Sequence, residues 1–208
     1  MTDTTTARPS RLGRAGTFVA TRVSPLQRGY LNAESRARGQ LAALRRASTQ
    51  PPGTVPEAWE LTQPEDVPAN AGDEPTREEQ AIHTAMTLYA VHQQSRSEPM
   101  HAMGVGLGHA ASRLIGHGDD ESAPARARFN ALVTASSLAE LRRHLRTFVS
   151  LLRSRGIALD YARLADDVDR FQRPGGAMVV RRQWARELYV RPATTPDQTT
   201  STATDQES

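Results

Sequence analysis

Apolar residues along this chain recur at spacings of three and four, the period of an α-helix, and no segment sustains the two-residue alternation of a half-buried strand. Between Arg77 and Ser95, Ala81, Ile82, Ala85, Met86, Leu88, Tyr89 and His92 fall on one arc of the helical wheel, with Thr84, Thr87 and Val91 opposite, which predicts an amphipathic helix. Ser137 opens a capping box with Glu140, and the helix it starts runs to Gly156, a residue suited to a left-handed C-terminal cap. Leu138, Leu141, Leu145, Phe148, Val149 and Leu152 form its inward face. Asp160 caps a further helix with Tyr161, Leu164, Val168 and Phe171 inward, and RPGG at 173–176 interrupts the chain before Val180, Trp184 and Leu188. Shorter helices fit Ser35 to Arg46, Leu107 to Ile115 and Ala125 to Ala135. The fold class expected is all-α, as two small packed helical bundles over 15–116 and 117–191.

The interruptions are as informative as the helices. Residues 1–14 and 192–208 are polar and of low complexity, without apolar content to offset the entropy of ordering, and read as disordered tails. Pro51 to Pro75 holds six prolines and a run of acids, so 51–76 is expected to be a long acidic connector within the first bundle, pinned to the core by Trp59.

Composition narrows the chemistry. Cysteine is absent from all 208 residues, which removes disulfides, thiolate catalysis, iron–sulfur clusters and most structural zinc sites. No apolar run approaches the roughly 18 to 20 residues of a membrane span, and the N-terminus lacks a secretory apolar stretch, so the expected location is the cytoplasm with no membrane partner. The net charge of +3 conceals a strong asymmetry. Residues 8–46 carry nine arginines against one acid, 51–80 eight acids against one arginine, and 126–191 fourteen arginines against six acids. Two basic regions therefore flank an acidic one.

No constellation of catalytic residues stands out, and no metal or other cofactor is expected. His101, His109 and His117 recur every eight residues, which is not the spacing of a helical ligand pair. Asp166, Asp167 and Asp169 resemble a nuclease carboxylate cluster but spread over a wide arc and read as a solvated face. GVGLG at 104–108 is not a nucleotide-binding fingerprint and follows no strand.

The arginines are more telling. On the 137–155 helix Arg142, Arg143, Arg146 and Arg153 fall within an arc of about 100°, beside the apolar face, along roughly 16 Å of helix. Only Glu140 lies nearby to compensate them, so the mutual repulsion favours a polyanion such as a phosphate backbone. On the 35–46 helix Arg38 and Arg45 share a side, followed by Arg46. The few aromatics sit mostly at expected core positions, so backbone contact is expected in preference to base stacking.

A set of stretches in order then carries a family resemblance over about residues 17–190: LAALRRAS at 41–48, a connector to Trp59, YAVHQQSR at 89–96, MHAMGVGLG at 100–108, the run from Arg128 to Gln172, and VRRQWARELY at 180–189. The chain resembles the CasB family, the small subunit of the type I-E CRISPR surveillance complex Cascade. It departs from the family pattern at Gly106 to His109, where Ser-Leu-Gly and a basic residue are frequent, and at Phe171, where Trp is common. The resemblance implies a non-catalytic, all-helical, two-bundle protein. It further implies two copies in the complex, alongside the backbone and large subunits, that hold crRNA, target DNA and the displaced strand and stabilise the R-loop. Carried over by position, the nucleic-acid-binding candidates are Arg45, Arg46, Arg128, Arg142, Arg143, Arg146 and Arg153. A helical transcription regulator is the competing expectation, although the 137–155 helix lacks the Asn and Gln of a base reader. A nuclease built on Asp166, Asp167 and Asp169 is the third.

Overall fold

The computed structural model describes residues 11–64, 72–116 and 123–189. Among the described residues the regular elements are helices: α1 Arg14–Leu31, α2 Ser35–Ala47, α3 Pro56–Thr62, α4 Arg77–Gln93, α5 Leu107–Ile115, α6 Ala123–Thr134, α7 Leu138–Ser154, α8 Tyr161–Phe171 and α9 Gly176–Tyr189. The expected all-α class is borne out. A lone parallel bridge between His101 and Leu159 ties the 100–105 loop to the turn before α8, with the Asp160 amide donating to the Val105 carbonyl at 2.8 Å. No described helix is long and apolar enough to cross a membrane.

α4 is the axis of the fold. Its expected boundaries hold, but the solvent-facing arc predicted for it does not exist: Thr84, Thr87 and Val91 are buried along with the apolar positions opposite. The cause is tertiary, since α1, α2, α7 and α8 all pack against this helix. The two threonines tolerate burial because their hydroxyls donate back to backbone carbonyls, Thr84 to Gln80 at 2.6 Å and Thr87 to His83 at 2.7 Å. A full capping box starts the helix, with Thr76 Oγ1 accepting from the Glu79 amide and Glu79 Oε2 accepting from the Thr76 amide. Around α4, the apolar cluster runs continuously from Val19 on α1 to Trp184 on α9.

The α7 and α8 expectations hold closely. Leu141, Leu145, Phe148, Val149 and Leu152 are buried, Ser137 Oγ accepts the Glu140 amide, and Gly156 turns the chain at φ +65°. Glu140 itself reaches the amide and hydroxyl of Ser136, one residue earlier than a symmetrical box requires. Asp160 accepts from the Ala162 and Arg163 amides to start α8, whose Tyr161, Leu164, Val168 and Phe171 are all buried.

Two helices depart from the sequence expectation. α1 begins at Arg14, within the span expected as a tail, and continues through Pro25 despite its lack of an amide donor. Ala15, Val19, Val23 and Leu26 supply its inner face. α3 lies inside the expected connector, where Pro56 at the first helical position and Glu57 in the first turn favour a helix start. Ala58 and Thr62 are the covered residues of α3, whereas Trp59, the predicted anchor, is only half-buried. Residues 1–10, 65–71, 117–122 and 190–208, which include His117, most of both expected tails and the expected bundle boundary, lie outside the described residues.

The aspartates of α8 correct a second expectation. They are not a solvated face, because α8 packs against α1, α4 and α9 and its polar flank becomes a seam. Asp166 accepts the Gly13 and Gly16 amides at 2.8 and 2.7 Å at the start of α1. Asp167 is buried and accepts the Trp184 indole N–H at 2.7 Å; burial pushes its carboxyl up to about 7. Asp169 pairs with Arg173.

GVGLG has an equally structural explanation. The start of α5 presses against α9, where Glu187 Oε2 accepts the Gly108 amide at 3.2 Å and Arg163 holds the same carboxylate at 2.6 Å. A carboxylate thus occupies the helix end at which a phosphate would be sought. A Cβ at position 108 would overlap the Trp184 carbonyl oxygen and lie 2.5 Å from Glu187 Cβ. Gly108→Ala is therefore expected to force α5 off α9 and cost about 1–3 kcal/mol, which lowers the melting temperature by roughly 2–4 °C per kcal/mol. Gly39→Ala, on α2 with nothing within 4 Å of its new methyl group, should instead leave the melting temperature unchanged or raise it slightly.

Candidate nucleic-acid interface

Four of the predicted arginines meet at the C-terminal end of α2. Arg45 and Arg46 lie in its last turn, and α7 brings Arg142 and Arg146 alongside. The Arg142 guanidinium donates to the Gln50 carbonyl at 3.0 Å, Arg146 donates to the Ser48 hydroxyl, and that hydroxyl donates onward to the Arg45 carbonyl at 2.7 Å. From below, the His83 ring of α4 contacts the carbonyls of Ala47 at 3.2 Å and Gln50 at 3.1 Å through Nε2. Arg46 pairs loosely with Glu57 at 3.6 Å, both side chains being more than half exposed.

At the far end of the stripe Arg153 repeats the arrangement on α4. It donates to the Gln94 side-chain oxygen at 3.2 Å and, at 3.5 Å, to the Val91 carbonyl. Arg143 points outward, is exposed, and contacts the neighbouring His144 ring at 3.2 Å. Arg128 stands apart on α6, where it bonds the Pro124 carbonyl of its own helix at 3.3 Å, and among the described residues no hydrogen bond or ion pair links it to the cluster.

This geometry changes the electrostatic reading of the stripe. In sequence, the charges of α7 lack compensation unless a polyanion is present. Neutral acceptors take the place of acids: the Gln50 carbonyl and Ser48 hydroxyl in the turn after α2, and the Val91 carbonyl in the last turn of α4, where helix carbonyls lack intrahelical partners. One or two donors of each guanidinium are used in this way, out of five, and Arg142, Arg146 and Arg153 all remain partly exposed. Burial holds the Arg142 pKa below its usual value, yet far above neutrality, since arginine stays protonated in proteins.

Two buried histidines underlie the stripe, and both are neutral. Burial and the charge of Arg142 pull His83 down to about 4. Burial, Arg153 and Arg96 pull His92, whose Nδ1 lies 2.8 Å from the Tyr161 hydroxyl, down to about 3. Ser48, Gln50, His83 and Gln94 are partners that the sequence reading misses. Their contacts span up to 98 residues of chain, and nothing in local spacing announces them. Among the described residues no group of three or more His, Asp or Glu is placed to hold a metal ion.

The comparisons with known proteins agree with this architecture. The model of the family CRISPR-associated protein Cse2 matches residues 40–189, from the middle of α2 to the end of α9. The chain belongs to the Cse2 family. CasB from Thermobifida fusca is 38% identical to this Cse2-family chain, with 86% of this chain and 100% of that one covered and a TM-score of 0.74. A CRISPR-associated protein of the Cse2 family from Thermus thermophilus is 26% identical, with 86% and 99% covered and a TM-score of 0.61. A structure of CasB from the same organism gives the same values. No curated protein matches the chain. The resemblance to CasB read from the sequence is thus borne out, and the span matched by the family model contains all seven candidate arginines.

The His83 arrangement has a measurable consequence. Its ordinary pKa of 6.5 applies in the unfolded chain and about 4 in the folded one, so between these values the unfolded chain binds a proton that the folded chain does not. Stability from this group is complete above pH 6.5 and declines as pH falls towards 4, by up to about 3 kcal/mol. His83→Gln retains an N–H donor without the titration. Its stability, followed by urea unfolding from about pH 7 to 4, is expected to fall less steeply than that of the parent; equal slopes would remove His83 as the cause.

Proposed function

We propose that this Cse2-family protein is a non-catalytic structural subunit of the type I-E CRISPR complex Cascade, acting in the cytoplasm. In this reading it binds the backbones of crRNA, target DNA and the displaced strand and stabilises the R-loop, beside backbone and large subunits and a second copy of itself. The observation that carries the reading is the convergence of Arg45, Arg46, Arg142 and Arg146 around the 47–50 turn, with Arg153 further along α7 and Arg143 directed outward. Planar guanidiniums fixed on one edge and open on the other suit phosphate oxygens without discriminating bases. R-loop formation is a nearly balanced exchange of duplexes, so a few such contacts suffice to shift it.

A catalytic role has little to recommend it. Asp166, Asp167 and Asp169, the candidate nuclease cluster, are engaged respectively by the start of α1, by Trp184 and by Arg173. Removing Arg146 would also delete its contact with Ser48, so the cleaner probes of binding are the exposed pair Arg46 and Arg143.

Arg46→Ala with Arg143→Ala is expected to weaken R-loop formation by the assembled complex. It should also lower the slope of log affinity against log salt by about 1 to 2, the loss of one or two phosphate contacts. Fluorescence anisotropy of labelled target duplex across a salt series measures this. An unchanged slope would remove these arginines from the interface. A preference of the isolated protein for one duplex over random duplex by about 10³ or more would replace the whole reading with that of a sequence-specific regulator.

A further inference from the structure

α9 buries Val180 and Trp184, while its opposite face is unusually apolar for a surface. Met178, Val179 and Tyr189 are 59%, 46% and 78% exposed, and they are three of the five large hydrophobic residues exposed among the described residues. At about 100° per residue, Met178, Tyr189, Arg182, Arg186 and Val179 share an arc of roughly 100°. Arg182 and Arg186 are exposed and make no ion pair among the described residues. Glu187, the one acid on this helix, is turned inward and held by Arg163. A shallow groove of about 340 Å³ lies beside Val179, Arg182 and Arg186. None of these residues belongs to the arginine cluster, since α9 packs against α5, α8 and α6, whereas the cluster lies between α7 and the ends of α2 and α4.

We propose that the outer face of α9 is a docking surface for a neighbouring protein subunit that presents an apolar ridge flanked by Asp or Glu side chains. The charges decide between the possible occupants. A second copy docked through the same face would set Arg182 and Arg186 against their own counterparts, because a two-fold interface apposes identical patches. A nucleic-acid strand would engage the arginines but leave the aliphatic Met178 and Val179 in water, without a stacking role. A protein surface with acids around an apolar centre satisfies both, and Met, Tyr and Arg are the residue types enriched at such interfaces. The face is about 20 Å long and 10 Å wide, far below the ~800 Å² per partner of a stable free pair. It therefore works as one contact within an assembly, and the inference rests on the reading that this chain acts inside a multisubunit complex.

The test is co-expression of the full chain with the other proteins of the proposed complex and a guide RNA, followed by native mass measurement. A photoreactive amino acid placed at position 178 should cross-link to a protein subunit other than this chain. Arg182→Glu with Arg186→Glu should reduce the chain recovered in the complex by about 10-fold or more, as expected when like charges are set against each other at a docking surface, and Met178→Ala by a smaller factor. Unchanged thermal unfolding of each variant confirms that the fold is intact. Cross-links to nucleic acid or to a second copy, or variants incorporated as well as the parent chain, would overturn the docking surface alone. Failure of the parent chain itself to assemble would overturn both this surface and the function proposed above.

Discussion

Burial of α4 on every side is the constraint from which the rest of the structure follows. A helix surrounded by α1, α2, α7 and α8 has little solvent to satisfy polar side chains, so most of them find a protein partner, the Tyr89 hydroxyl being an exception. Thr84 and Thr87 turn back to their own backbone, His92 meets the Tyr161 hydroxyl, and His83 reaches the carbonyls that end α2. The helix thereby orders its neighbours. His83 braces the turn that follows α2, and in that turn Arg142 reaches the Gln50 carbonyl and Arg146 the Ser48 hydroxyl from α7. A core packing requirement has set the position of the candidate binding surface.

The same logic explains why several sequence features that look like chemistry are structural. An acid on one helix at the start of another is favourable when the two are packed too closely for water to serve that end. Asp166 does this for α1 and Glu187 for α5, with Arg163 neutralising the second. Among the described residues Asp167 has no such cation in direct contact, and burial raises its pKa to about 7 in spite of the Trp184 hydrogen bond. Carboxylates that resemble a nuclease centre in one dimension are distributed in space to three different elements.

Legibility in the sequence tracks the range of the interaction. Ser137, Asp160 and Gly156 act within a few residues of themselves, and their roles in starting and ending α7 and α8 can be read directly. The inward positions of α7 are equally legible, because a helix with one dry face advertises it by period. α4 reads as amphipathic in sequence because its second face is covered only by helices remote along the chain. α1 and α3 escape a sequence reading because Pro25 and the prolines near Pro56 look like breaks; at the first turn Pro is in fact compatible with a helix. The arginine candidates are visible as a stripe, but their partners Ser48, Gln50 and Gln94 depend on helix packing that no local spacing encodes.

That the arginines hold structural partners does not weaken their candidacy as phosphate ligands; it sharpens the geometry they offer. A lysine that donated to the Gln50 or Val91 carbonyl would aim its compact charge at that carbonyl. A guanidinium that does so is locked in its plane, with further N–H groups directed elsewhere at fixed angles. Fixing the side chain in advance also removes part of the entropy cost of ordering it on binding. The Gln50 carbonyl and Ser48 hydroxyl in the turn after α2, and the Val91 carbonyl and Gln94 side chain at the end of α4, thus act as supports that hold Arg142, Arg146 and Arg153 in orientation. Arg46 and Arg143, without such supports, add charge with less definition. On this view the cluster contains two classes of cation, and the first should contribute geometric selectivity for a backbone while the second contributes mainly to its attraction.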